Sequence, residues 1–239
     1  MTNPENINGD LIQKVILINA ETGDYIQRIK IIDENGNAIY YKFDRLEIGS
    51  ENDYVQINED GELKLIGDSS QWDDLSMELN RGKQGILDKP DYDFTNLGLL
   101  FPQNNTNEIV YAIVQMKHQK KMDTMIYPHI HYIQSSANKP IFDLQYKFYN
   151  NGELVPASFT TVKTNDVGGN QGVFTYTSGN LLQIASFPPI AAPTNETVSA
   201  NFEFKLFRND NVVSGDVLAK YFDLHYEIDT FGSNEQYEK

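Results

Sequence analysis

Two histidines stand one residue apart in the apolar run MIYPHIHYIQ, residues 125–134. On a strand, positions i and i+2 share a face, so His129 and His131 are expected side by side, the usual start of a zinc, iron or copper site. A catalytic zinc needs three protein ligands and an open position. There is no cysteine to supply one. His225 would serve only if its strand lay next to theirs. His118 sits in the basic stretch KHQKK and reads as part of a solvated loop. The expectation is therefore two imidazoles that each find a hydrogen-bond partner at a sheet face or subunit contact. No catalytic residue, cofactor-binding residue, metal ligand or cofactor is assigned.

Other chemistries are weaker still. The His pair is similar to the first half of the cupin metal motif, but Ser135, Ser136 and Ala137 stand where that motif carries its Glu. QINEDG offers oxygen ligands, yet an EF-hand loop beginning there would place Gln56 and Gly67 where acids belong. Neither a Gly-x-Ser-x-Gly nucleophile motif nor a Gly-x-x-x-x-Gly-Lys phosphate loop occurs. The carboxylate pairs Asp73-Asp74 and Glu227/Asp229 have the chemistry for glycoside hydrolysis. With 34 acidic residues in 239, such pairs arise by chance, and the stripe 223–229 reads as a solvated face.

The elements that position these residues are strands. Alternation is clean in IFDLQYKFY (141–149), where Phe142, Leu144, Tyr146 and Phe148 share a face. It recurs in VSANFEFKLF, with Val198, Ala200, Phe202, Phe204 and Leu206, and in YFDLHYEID, with Phe222, Leu224, Tyr226 and Ile228 inward. IVYAIVQM (109–116) is continuously apolar and reads as buried on both faces. GVFTYT and NLLQIASF add two more strands. Residues 109–239 are thus expected to form an antiparallel β-sandwich of jelly-roll type. Residues 1–66 read as short strands, from LIQKVILIN through a hairpin around Asp60-Gly61, separated by turns rich in Asn, Asp and Gly. That region is too small to bury a core alone and is expected to pack against copies of itself or another protein. Residues 67–108 show no clear period beyond a short helical turn in DDLSMELN, and read as a linker or a segment that wraps a neighbour.

Charge narrows the partners. Nineteen Lys and Arg against 34 Asp and Glu give a formal charge of −15, so no positive field draws nucleic acid. No window approaches eighteen consecutive apolar residues, and MTNPENINGD has no secretory pattern; no membrane span or leader is expected. The absence of cysteine fits assembly in a reducing cytoplasm.

Four stretches together resemble a family of tailed-bacteriophage virion proteins: LKLIGDSSQWDDL (63–75), YPHIHY (127–132), FKLFRND (204–210) and FDLHYEIDTFGSNEQYEK (222–239). In such sequences a Gly-x-Leu-x-Leu-x-Gly leads into Trp-Asp-Asp-Leu, a Pro-His-x-His lies mid-chain, and an Asp-x-His-Tyr strand precedes Asp-Thr-x-Gly-Ser. The resemblance runs from about residue 63 to 239. It implies a non-enzymatic structural protein, usually homotrimeric, of head-fibre, capsid-decoration or tail-fibre type. Its place would be the virion, assembled in the host cytoplasm. Its partners would be copies of itself and other capsid or tail proteins, reached through the N-terminal region. The alternative from the residues is a carbohydrate-binding or metal-binding β-sandwich.

Overall fold

Aromatic and β-branched residues at every second position favour pleated, half-buried strands. Strands carry nearly all the regular structure of the computed structural model, which describes residues 30–32, 38–40, 45–50, 52–58, 61–85, 88–103, 105–135, 139–164, 181–210 and 215–232. In chain order they are β1 (Lys30–Ile32), β2 (Ala38–Tyr40), β3 (Arg45–Gly49), β4 (Tyr54–Asn58), β5 (Leu63–Ile66), β6 (Gln71–Glu78), β7 (Lys83–Gln84) and β8 (Asp91–Asp93). Then follow β9 (Gly98–Phe101), β10 (Val110–Gln115), β11 (Ile126–Gln134), β12 (Phe142–Tyr149), β13 (Thr160–Lys163), β14 (Gln183–Ser186), β15 (Asn201–Arg208) and β16 (Val217–Ile228). Among the described residues the helical pieces are two 3-10 turns, Gly67–Ser69 and Leu79–Arg81. The class is all-β, as the alternation implied.

The chain divides into two compact units, Met1–Gln71 with Asp229–Asn234, and Trp72–Ile228 with Glu235–Lys239. In the first, β1 and β2 form an antiparallel ribbon, and β3, β4 and β5 form an antiparallel meander. Thr230 bridges Lys64 of that meander. Gly67 ends the LKLIG run at φ +64°, and a Cβ there would lie 2.2 Å from the Asn52 carbonyl oxygen, so the turn admits only glycine. The strands expected in residues 11–29 and in GVFTYT lie outside the described residues.

The second unit is the sandwich. One sheet has the order β13-β12-β15-β10-β7; the other has β14-β11-β16-β9-β8, with β6 also paired to β16. The alternation in β15 and β16 places Phe202, Phe204, Leu206, Phe222, Leu224 and Tyr226 in the core. Rings from the two sheets meet there: Phe204 and Phe222 at 4.3 Å between centroids, Phe101 and Phe142 at 5.7 Å. Full burial stabilises each such ring by about 1.5–3 kcal/mol.

Three expectations need correction. Residues 67–108 are not an irregular linker: β6, β8 and β9 join one sheet and β7 the other. The period was hidden because β6 carries Asp73 and Met77 on its half-buried side, while β7 to β9 are too short to show one. DDLSMELN is strand through Glu78, and only then a 3-10 turn that buries Leu79. In β10 one apolar face is covered and the other is not, since Tyr111 and Ile113 are exposed. Asp143, which alternates with the apolar positions of β12, is also buried, accepting a hydrogen bond from Asn209 Nδ2 at 3.1 Å.

Two buried charged clamps lock the sandwich. Arg208, on β15, is fully buried. It donates from Nε and Nη2 to both carboxylate oxygens of Asp210, at 2.7 and 3.1 Å. Its Nη1 reaches the carbonyl oxygen of Phe101 on β9, in the opposite sheet, at 2.9 Å. Lys120 Nζ and Glu196 Oε2 pair at 2.6 Å, both buried. Lys120 belongs to KHQKK, so that stretch is not a solvated loop. Removing one partner of a buried ion pair strands the other charge and costs about 3–5 kcal/mol. Asp210→Ala is expected to lower the unfolding free energy by that amount in urea denaturation. The double variant Arg208→Met/Asp210→Leu should recover part of the loss. A single-variant loss below about 1 kcal/mol, the scale of an exposed pair, would contradict the clamp.

Candidate functional site

The pairing of β11 with β16 sets His129 opposite Asp223, His131 opposite Tyr221 and Tyr127 opposite His225. Ile130, Tyr132, Phe222, Leu224 and Tyr226 are the alternate positions and fill the core. The His and Asp side chains therefore share the outer face of the sheet. A register shift follows His131: Tyr132 pairs with Ala219, leaving Lys220 as an extra residue on β16. Such a bulge increases local twist and re-aims neighbouring side chains. On the other edge of β11, β14 sets Ser186 opposite His129 and Ile184 opposite His131.

Three ligating atoms converge on this face. Nε2 of His129 and Nε2 of His131 lie 3.1 Å apart, and Asp223 Oδ2 lies 3.4 Å from the first and 2.9 Å from the second. Among the described residues this is the one group of three His, Asp or Glu side chains placed to hold a metal ion together. His129 and Asp223 are only 5% and 7% exposed. Burial pushes the Asp223 carboxyl up, but hydrogen bonds from His129, His131 and Ser76 and the charge of His131 outweigh it and hold the pKa well below the carboxylate range. Its other oxygen, Oδ1, is buried without a hydrogen-bond partner.

His225 meets the pair but does not join it. Its ring stands edge-on to His129 at 4.4 Å between centroids, while its Nε2 turns to Asp74 Oδ1 at 2.8 Å. Burial and the charge of His129 lower its pKa. His118 is half-buried, with Nε2 2.7 Å from Ser199 Oγ. Trp72, 58% exposed, packs edge-to-face on Tyr127 at 5.3 Å. Trp72, Tyr127, His129, Ser186 and His225 line a recess of about 260 Å³.

The adjacent carboxylates Asp73 and Asp74 part company, because consecutive strand residues point to opposite faces. Asp74 faces His225. Asp73 accepts hydrogen bonds from Lys117 Nζ at 2.9 Å, from the Tyr226 hydroxyl at 2.8 Å and from Gln119. Burial raises the Asp73 pKa, and these donors more than reverse it; burial and the Asp73 carboxylate together raise the Tyr226 phenol. Glu227 pairs with Lys121 at 3.1 Å. The Asp73 and Asp74 carboxylates therefore serve separate networks rather than one shared site.

Asp223 is the residue that sequence reasoning missed. It was placed on a solvated stripe, whereas the strand pairing buries it against His129. A signal was present. Two strands each carry polar residues at i and i+2 between core positions, and if they are neighbours those pairs must face each other.

No protein-family model matches the sequence, and no curated protein matches it at a significant level. Solved structures are similar only distantly. The CBM36-1 domain of a multidomain xylanase from the hindgut metagenome of Trinervitermes trinervoides aligns with a TM-score of 0.37 and 8% identity, over 64% of this chain and 96% of that one. An exo-β-1,3-galactanase from Phanerochaete chrysosporium gives 0.34 and 9%, over 84% and 37%. The infectious bursal disease virus Gx strain gives 0.31 and 13%, over 92% and 46%. At these scores they assign no function.

Asp73 generates a test with a defined sign. Its folded-state pKa lies below the ordinary 3.8, so its stabilisation is present above that value and is lost as pH falls through the lowered one. Asp73→Asn is expected to cost about 1.5–3 kcal/mol near neutral pH, the scale of hydrogen bonds to a charged group. The gap from wild type should close in strong acid, as followed by denaturation at a series of pH values. A gap that persists unchanged in acid would contradict the assignment.

Proposed function

We propose that this chain is a structural component of a bacteriophage virion, a non-enzymatic, homotrimeric head-fibre or capsid-decoration protein displayed on the particle surface. The observation that carries the proposal is where the resembling stretches fall. On one sheet face Trp72 of WDDL packs on Tyr127 of YPHIHY, Asp74 of WDDL pairs with His225 of FDLHYE, and His225 and Asp223 of FDLHYE meet His129 and His131 of YPHIHY. FKLFRND supplies the buried Arg208–Asp210 clamp. Residues that recur together in order, and meet in the fold, behave as determinants of one architecture rather than as scattered coincidences.

The trimer draws support from the small first unit, built of a ribbon and a three-stranded meander, for which association with copies would supply missing burial. It also draws support from β10, whose outward Ile113 is 66% exposed beside Tyr111. Under this proposal the N-terminal region contacts other capsid or tail proteins. One observation favours a second function, a ligand-binding sandwich: the exposed Trp72 beside the recess, since an indole face stacks well on a sugar ring.

Two measurements decide. Mass spectrometry of purified phage particles is expected to find this chain as a stoichiometric component, and light scattering of the purified chain to give three times the chain mass. Particles lacking the chain, or a folded monomer at micromolar concentration, would count against the proposal.

A further inference from the structure

We propose that His129, His131 and Asp223 bind a divalent transition-metal ion of the zinc class, with Nε2 of both imidazoles and Oδ2 of the carboxylate as ligands. Atoms bonded to one ion at about 2.0–2.1 Å lie no more than about 4.2 Å apart, and about 3.4 Å apart in a tetrahedral site. The separations of 2.9, 3.1 and 3.4 Å all lie within that limit. The ligands come from facing positions of two hydrogen-bonded strands, beside a bulge, so the ion would tie β11 to β16.

Hydrogen bonding alone satisfies the three atoms poorly. A neutral imidazole has a single N–H. If both Nε2 atoms carry hydrogen and donate to Oδ2, two donors face each other at 3.1 Å. If either lacks it, a nitrogen lone pair is turned towards a carboxylate oxygen. A cation at the centre converts three converging lone pairs into three bonds. Asp223 adds an independent observation: its side chain is 10% exposed, Oδ1 has no hydrogen-bond partner, and its ion-pair partners among the described residues are these two histidines. The charge of this buried carboxylate is balanced by imidazoles or by a bound cation.

The donor set defines the class of ion. Two imidazoles and one carboxylate suit zinc, iron(II) or nickel, whereas calcium and magnesium take oxygen ligands. Three protein ligands leave at least one position for water or an external oxygen donor. The histidine pair lacked only a third ligand, and Asp223 supplies it.

The test uses the full chain, purified without a histidine tag, incubated with zinc and passed through gel filtration. One zinc ion per chain is expected to remain. It should be lost in His131→Ala and in Asp223→Asn, and a chelator should lower the wild-type Tm by about 5–10 °C, as when a ligand near 100-fold its Kd is removed. Cobalt(II) loading gives a readout independent of the variants: paramagnetic proton NMR of the wild type should count two coordinated imidazoles. Zinc at the level of the blank, zinc retained by both variants, or a count other than two would overturn the site.

Discussion

A one-residue slip of β11 against β16 would exchange the two faces of one of the strands, sending either His129 and His131 or Asp223 and His225 into the core and the apolar neighbours on that strand into water. That penalty fixes the register. Once the register is fixed, the outer face has no freedom left: a histidine must face an aspartate, and a tyrosine must face a histidine. The polar cluster is thus a consequence of how the apolar residues bury themselves. Its energy comes from the other side of the sheet, where rings of β15 and β16 meet.

The same logic explains why the charged residues of the sandwich are not interchangeable. Arg208 and Lys120 are buried with carboxylate partners and carbonyl acceptors, so each charge is held where water cannot compensate for a lost contact. Asp73 and Asp74 are adjacent in sequence but serve opposite faces, one joining the Lys117–Tyr226 network and the other orienting His225. The ring contacts and ion pairs of the cluster join β6, β11 and β16.

Legibility followed burial. Where one face of a long strand was apolar and the other polar, as in β15 and β16, the alternation was readable and named the core residues. It failed for β6 to β9, because two- to four-residue strands contain too little of the period and β6 mixes Asp, Leu and Met on its half-buried side. It failed in another way for β10, where an apolar run concealed an uncovered face. The histidine pair was visible from its spacing alone. Asp223 was not, because its partner is 94 positions away by number and only the pairing of β11 with β16 brings them together. Long-range pairing is the information that local propensity lacks.

The register of that pairing can be measured directly because the chain has no cysteine of its own. Directly opposed positions on antiparallel strands have Cα atoms about 4.5–5.5 Å apart, within disulfide reach. The double variant His129→Cys/Asp223→Cys is expected to oxidise to an intramolecular disulfide, losing both thiols in a non-denaturing assay. The slipped variant His129→Cys/Leu224→Cys, whose second thiol points into the core, should keep both. Free thiols in the first, or ready disulfide formation in the second, would contradict the register and with it the cluster built on it.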